Sequence, residues 1–513
     1  MREWQSENRQ SVFLIENQKN QAACFCFNGL HTYCTGRLFL LQLHRPPHAL
    51  PPRERGEYSM NPKLFKPYDI RGFSPEEIDE DFAYRVGQAM VLFTKAKTVV
   101  VGRDMRDTTP MLFDALARGV TSQGADVIDI GLVTTPMLYY AVAEYDLHDA
   151  GVMITASHNP KEYNGFKLCF GDALPIGGES GMKDVRDLAV AGPYPAKAAG
   201  TIVTTDIRSS YIKKLISLVN VAKFKELEVV VDTANGMEGS IIQDIFAHLP
   251  SCRMTGLFME LDGGFPNHEA NPLKEETLDA LKSAVYAMHA DIGVAFDGDG
   301  DRIGLVDEKG ETVRADFIGA LVASKLLTQN PGATILYDLR ESLIAKEEIE
   351  NAGGRAVMCR VGHGLIKPQM RRENAVFASE LSGHFYFRDV YGAESSDLVL
   401  LLFLELLSES GKKLSELVAP LKRYVHSGEI NSEVADKDAV LAMLEESYGH
   451  EATEITRIDG IRMDFYDANA PENDWWFGVR ASNTEPLLRL NVEAKKKEKM
   501  EVERDRLLAL IRV

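Results

Sequence analysis

Gly151-Val152-Met153-Ile154-Thr155-Ala156-Ser157-His158-Asn159-Pro160 is the stretch on which the reading of this chain turns. Its first four residues form an apolar run suited to a buried strand. Asn-Pro then forces a turn, because the residue before a proline is driven out of the helical region. Ser157 is therefore expected on a tight loop at a strand end, where open α/β sheets place their ligands. A second stretch repeats the arrangement. Ile292-Gly293-Val294-Ala295-Phe296 leads into Asp297-Gly298-Asp299-Gly300-Asp301-Arg302. Carboxylates at every second position repel one another unless a cation or basic partner sits between them. The intervening glycines let the backbone bend round such an ion. The expectation is that Ser157 carries a phosphoryl group and that the aspartates hold a metal beside it.

Outward from these loops the chain alternates between strand-like and helix-like segments, which implies mostly parallel sheets covered by helices. Residues 81–94 read as an amphipathic helix, 98–101 and 126–130 as strands, and Lys66-Pro67-Tyr68-Asp69-Ile70-Arg71-Gly72 as an ordered loop. The alternation recurs twice more. The expected architecture is three similar α/β domains, at 60–205, 206–310 and 311–425, around a central cleft. A smaller C-terminal α+β domain at 426–513 closes the chain, its strands antiparallel. No low-complexity linker separates these units, so they are expected to pack closely.

Residues 1–59 look foreign to this pattern. They mix Gln, Asn, Cys, His and Pro without periodicity and read as a disordered extension. Cys24, Cys26, Cys34 and His31 make only a weak metal-site pattern. Met60 opens a clean start, so an over-extended reading frame is the companion expectation. At 513 residues the chain is too long for one core. Its net charge of −19 argues against a general nucleic-acid or anionic-membrane binder. The six cysteines form no disulfide framework, which points to a reducing, cytoplasmic setting. No apolar run approaches the ~20 residues of a membrane span.

Rival readings of the two loops fail on particular residues. No G-x-S-x-G elbow surrounds Ser157, which removes the hydrolase reading. An EF-hand needs glycine where this chain has Arg302 and helices where it has strand-like runs, although Glu308 stands at the twelfth position. Oxygen-only ligands suit magnesium best. Lys167, ten residues after Ser157, reads by itself as solvated. Arg480-Ala481-Ser482-Asn483-Thr484-Glu485-Pro486 looks like an anion cradle or a polar hairpin turn. Glu380, Ser382 and His384 alternate on a glycine-containing loop, a spacing that suits sugar hydroxyls or a capped turn equally. His363 between glycines is a titrating group or a surface residue. Trp475-Trp476-Phe477 read as core.

Taken together these motifs resemble the α-D-phosphohexomutases, in the phosphomannomutase/phosphoglucomutase branch. The resemblance runs from about Pro62 to about Glu493. It rests on Thr155–Pro160, Asp297–Arg302, Glu380–His384 and Arg480–Thr484 in that order, with Tyr68–Gly72 and Gly102–Asp104 fitting the same pattern. It implies a phosphoserine at Ser157, with Asp297, Asp299, Asp301 and a phosphoserine oxygen holding Mg²⁺. It implies that Glu380 and Ser382 contact sugar hydroxyls. Arg480, Ser482, Asn483 and Thr484 would grip the non-reacting phosphate. Tyr68, Arg71, Lys167, His363 and His384 would line the reacting end, with Arg302 and Arg340 as further substrate contacts. The reaction implied interconverts a hexose 1-phosphate and 6-phosphate, of mannose and/or glucose, through a hexose 1,6-bisphosphate. A glucosamine phosphate substrate is the nearest alternative; a metal-dependent phosphatase and a non-catalytic sugar-phosphate binder are the others. Two departures from the family pattern stand out: Arg340-Glu341 where lysine and a small residue are usual, and Ser379 before Glu380 in place of glycine.

Overall fold

The computed structural model describes residues 60–481 and 487–512, with a short antiparallel pairing of Cys26–Phe27 against Leu30–His31 before them. The chain divides into Met1–Ser59 and Met60–Val513. Apart from that pairing, the expected extension over 1–59 lies outside the described residues, as do Ser482, Asn483 and Thr484.

Within 60–512 three mixed sheets share one plan. The second sheet runs Cys252–Leu257, Leu227–Asp232, Ile292–Phe296, Ile303–Asp307, Thr312–Val313 across its width. Its first two pairings are parallel and its last two antiparallel. The third sheet repeats this with Arg355–Cys359, Thr334–Asp338, Phe377–Ser379, Phe385–Phe387 and Ala393–Glu394. The first sheet follows the same order through Asp126–Leu132, Thr98–Arg103, Ala150–Ile154 and Tyr163–Phe170. It then adds Ile70–Phe73 at one edge and Ile202–Thr204 at the other. The stretch expected as a loop around Tyr68–Gly72 is therefore partly this edge strand. In every sheet the hairpin between the third and fourth strands carries one of the motifs: 155–162 with Ser157, 297–302 with the aspartates, 380–384 with Glu380 and His384.

One apolar core joins the three units. It contains Val100, Val229 and Ile335 from the three sheets, Tyr139 and Val142 of helix Thr135–Glu144, and Leu398 to Leu407 of helix Ser396–Ser410. The last helix is apolar on nearly every face, as a helix in the middle of a core must be. Ser395 caps its start, its hydroxyl accepting from Leu398 N–H, and Gly411 at φ 64° ends it. Truncating one of its leucines to alanine would cost ~2–5 kcal/mol.

The C-terminal domain keeps its own core. An antiparallel sheet of six strands packs under helices Lys437–Tyr448 and Lys497–Ile511. Trp475 and Phe477 belong to that core, Phe465 stacking on Trp475 with centroids 4.2 Å apart, while Trp476 is fully buried. Polar bonds tie this domain to the third: Arg462 donates to the carbonyls of Leu339 at 2.7 Å and Glu341 at 3.2 Å. Among the described residues no helix is long and apolar enough to cross a membrane.

Candidate active site

Ser157 lies just past the end of Ala150–Ile154 with a left-handed backbone at φ 51°. Few non-glycine residues accept that conformation, and it is found where surrounding bonds enforce it. Here the enforcement is explicit. The Ser157 N–H donates to Thr155 Oγ1 at 2.8 Å. Arg106, 1% exposed, reaches under the loop and donates to the carbonyls of Ser157, Asn159, Pro160 and Tyr163, at 2.8, 2.6, 2.7 and 3.0 Å. Asp104 holds the same guanidinium from below. The result aims the Ser157 hydroxyl at Asp297 Oδ2, to which it donates at 2.7 Å. Gly298 makes the approach possible: a Cβ there would stand 2.5 Å from the Ser157 carbonyl oxygen.

Asp297, Asp299 and Asp301 are all buried, and their nearest oxygens lie within 4.8 Å of one another. Burial and the two neighbouring carboxylates push the Asp297 carboxyl well above its ordinary range. Burial acts on Asp301 too, but Lys167 and His384 outweigh it and hold its carboxyl down. The Lys167 ammonium bonds Asp299 Oδ2 at 2.7 Å and also Asp301 Oδ2. The solvated reading of Lys167 fails, since it is 5% exposed. Asp299 Oδ1 faces inward without a hydrogen bond, and Asp301 Oδ1 has only the His384 ring nitrogen, 3.3 Å away. Lys167, with Arg302 3.9 Å from Asp297 and His384 beside Asp301, still leaves carboxylate oxygens of Asp299 and Asp301 without a hydrogen bond. That donor set fits a hard divalent cation such as Mg²⁺. Glu308 turns elsewhere, accepting from Ser415, and flanking strands replace the helices an EF-hand would need.

Arg71 joins this group from the edge strand. It donates to the Ala156 carbonyl at 3.0 Å, to Asn159 Oδ1 at 2.7 Å and to Asp69 at 2.8 Å. Arg302 Nε points to His384 Nε2 at 3.3 Å, and Ser382 Oγ lies 2.9 Å from His384 Nδ1. Glu380 accepts from Tyr386 at 2.9 Å and lies 3.4 Å from an Arg340 nitrogen. The Tyr68 hydroxyl donates to the Val361 carbonyl at 3.0 Å, and its ring fills the space that a side chain at Gly362 would need. Burial raises the Tyr68 phenol, with Asp459, Arg480 and Glu380 close enough to act on it as well. Residues from the first, third and last domains thus meet at one cleft. His363 is largely buried, its side chain 14% exposed, which removes the surface reading. Arg480 is held by Asp459 at 2.7 Å.

Several residues here carried no signal in sequence. Thr135, Asp459 and most of the bonds of Arg106 depend on partners distant in the chain; Thr135 Oγ1, for example, donates to Asp299 at 2.6 Å. The two departures from the family pattern prove to be bonded to each other: Ser379 Oγ donates to Glu341 Oε2 at 3.0 Å.

Family models for the phosphoglucomutase/phosphomannomutase α/β/α domains I, II and III match residues 62–189, 209–310 and 314–424, and that for the C-terminal domain matches 429–510. The fold and its set of hairpin loops define an intramolecular phosphotransferase, a phosphohexomutase. A phosphomannomutase of Salmonella montevideo is 40% identical over 443 residues, covering 85% of this chain and 95% of the relative. A Xanthomonas campestris protein described as phosphohexose mutases is 40% identical over 434 residues, covering 84% and 95%. The crystal structure of a phosphoglucomutase/phosphomannomutase family protein from Burkholderia thailandensis superposes with a TM-score of 0.79 at 31% identity, covering 88% of this chain and 98% of that one. This chain belongs to the phosphoglucomutase/phosphomannomutase family.

Proposed function

We propose that this mutase interconverts the 1-phosphate and 6-phosphate of mannose and/or glucose through a phosphoserine at Ser157 and a hexose 1,6-bisphosphate. The observation that carries this reading is the Ser157 hydroxyl held 2.7 Å from Asp297 at the rim of the acidic triad. The phosphomannomutase description of its relatives supports mannose. The phosphoryl group leaves Ser157 for a free sugar hydroxyl: a new P–O bond forms, the P–Oγ bond breaks, and its electron pair stays on the serine oxygen. The bisphosphate then turns end for end, and its other phosphate returns to Ser157. A transferring phosphoryl spreads negative charge over its oxygens. Arg71 and Lys167 stand where they offset it. Asp297, Asp299, Asp301 and a phosphoserine oxygen would hold Mg²⁺, which supplies further charge neutralisation when bound.

His384 or His363 takes the proton of the attacking hydroxyl. Burial and neighbouring cations hold the His363 imidazole well below its usual value, so it is neutral and able to accept. Glu380 and Ser382 read the sugar hydroxyls, with Tyr68, Arg302 and Arg340 around them. Arg480, Ser482, Asn483 and Thr484 hold the distal phosphate, and the separate core of their domain suits closure over the sugar. The setting we propose is cytoplasmic. Ser157→Ala is expected to abolish turnover while leaving sugar-phosphate binding measurable by calorimetry. A variant with full turnover would remove the covalent carrier from the scheme.

A further inference from the structure

Behind His363 lies a buried charged cluster that no step of the proposed transfer uses. Helix His363–Glu373 begins at His363 and brings Lys367 onto the same face one turn later. Glu394, on strand Ala393–Glu394, packs against both. Lys367 Nζ lies 2.5 Å from Glu394 Oε2 and 3.3 Å from the centre of the Tyr139 ring. The Lys367 and Glu394 side chains are only 2% and 1% exposed. His363 Nδ1 faces Glu394 Oε1 across 3.9 Å.

Buried charges are expensive, and each buried polar atom left unbonded costs about 1–3 kcal/mol. Two such atoms face each other here: His363 Nδ1 and Glu394 Oε1 lack a hydrogen bond, while Lys367 Nζ and Glu394 Oε2 hold each other as an ion pair. A shift of roughly 1 Å closes the imidazole–carboxylate gap to bonding distance. Lys167, His384 and Asp301 act on the ring alongside Lys367, and the Tyr68 ring lies 5.9 Å from it. A neutral imidazole has one N–H, and the hydrogen bond made by one nitrogen fixes the state of the other. Nδ1 is sealed against Glu394, so the remaining exposure of the ring falls on its other atoms.

We infer that Glu394 is a positioning residue: it accepts the Nδ1 proton of His363 in a hydrogen bond, leaving a bare Nε2 at the reacting end to accept from a sugar hydroxyl, while Lys367 supplies the buried counter-charge. The inference rests on the placement of His363 at the reacting end. Metal-ligating histidines are oriented by carboxylates in the same way, and losing such a partner costs ~10–100-fold.

The test reads the tautomer directly. In ¹⁵N-histidine-labelled, ligand-free enzyme, the His363 resonances, assigned by their loss in His363→Asn, should report a proton on Nδ1. Glu394→Gln should shift that ring toward the Nε2-protonated form and lower kcat/KM about tenfold or more. Glu394→Leu combined with Lys367→Met removes the acceptor and both buried charges together, leaves neither charge stranded, and should show the same tautomer change in a folded protein. A wild-type ring protonated on Nε2, or a tautomer unchanged in both variants, overturns the inference whatever the activity. Because the tautomer is read without turnover, failure here is separate from failure of the phosphoserine scheme, which Ser157→Ala reports.

Discussion

Arg106 and Arg340 occupy matching places in the first and third α/β units and do different work. Each lies just past the end of the strand that stands second in the shared sheet order, Thr98–Arg103 or Thr334–Asp338, in an Asp-x-Arg turn. In each the arginine N–H donates back to the aspartate, Arg106 to Asp104 at 3.1 Å and Arg340 to Asp338 at 2.7 Å. The guanidinium of each also bonds that carboxylate. There the likeness ends. Arg106 is 1% exposed and spends its remaining donors on four backbone carbonyls of the serine loop. Arg340 is 12% exposed and leans across to the Glu380 carboxylate. The middle unit has Ala234 at the corresponding point, its N–H bonded to Asp232 in the same turn but with no arm to extend. One local device thus braces the Ser157 loop in one unit and reaches toward the Glu380 loop in another.

Lysine substitutions separate these roles, because lysine keeps the charge but loses the planar fork. Arg106→Lys should be the more damaging. One ammonium cannot serve four carbonyls, and each left unpaired in the interior costs about 1–3 kcal/mol. A stability loss of at least ~3 kcal/mol is expected by denaturant unfolding, with turnover down ~10²-fold or more from a misplaced Ser157. Equal tolerance at both arginines would erase the distinction. Arg340→Lys should change stability by less than ~1 kcal/mol and kcat/KM by about tenfold, the worth of one charge-assisted bond.

A smaller effect concerns the ground beneath the middle unit. Glu238 and Asp397 are buried behind Gly300, with Tyr211 donating to Asp397 at 2.8 Å. Burial raises the Asp397 carboxyl to about 6, and burial together with Asp397 raises Glu238 well above its ordinary range. Both pKa values are raised on folding. The stabilisation is therefore complete below the unfolded value of about 4 and lost as pH rises through the folded ones. Unfolding free energy should fall as the pH rises from ~4 through 6 and beyond, and Asp397→Asn should flatten that slope. A slope unchanged by the substitution would place the titration elsewhere.

Much of this organisation was legible in the residues. Apolar runs at 151–154 and 292–296 marked central strands because strands buried on both faces must be apolar throughout. The turns that follow them showed as Asn-Pro and alternating glycine. Ile70–Phe73 did not read as a strand, since its inward and outward residues alternate but Gly72 faces inward and Phe73 outward, so the hydropathy does not show the alternation. Lys167 looked solvated because its two carboxylate partners lie more than a hundred residues away. Arg106, Glu394 and Lys367 were invisible for the same reason: their partners come from other elements, and nothing local marks a charge as buried. The threefold alternation was legible, but the order of the strands across each sheet was not, because which strands lie side by side is set by pairings between segments far apart in the chain.

The central claim is that Ser157 carries the phosphoryl group between the two ends of the sugar. The direct measurement is transfer of label from hexose 1,6-bisphosphate radiolabelled in phosphate, followed by peptide mapping and a chase with unlabelled hexose 1-phosphate. The account predicts one label per chain, on the peptide containing Ser157, released into hexose phosphate during the chase. Full turnover with no label on that peptide, or with the label on another residue, would contradict it.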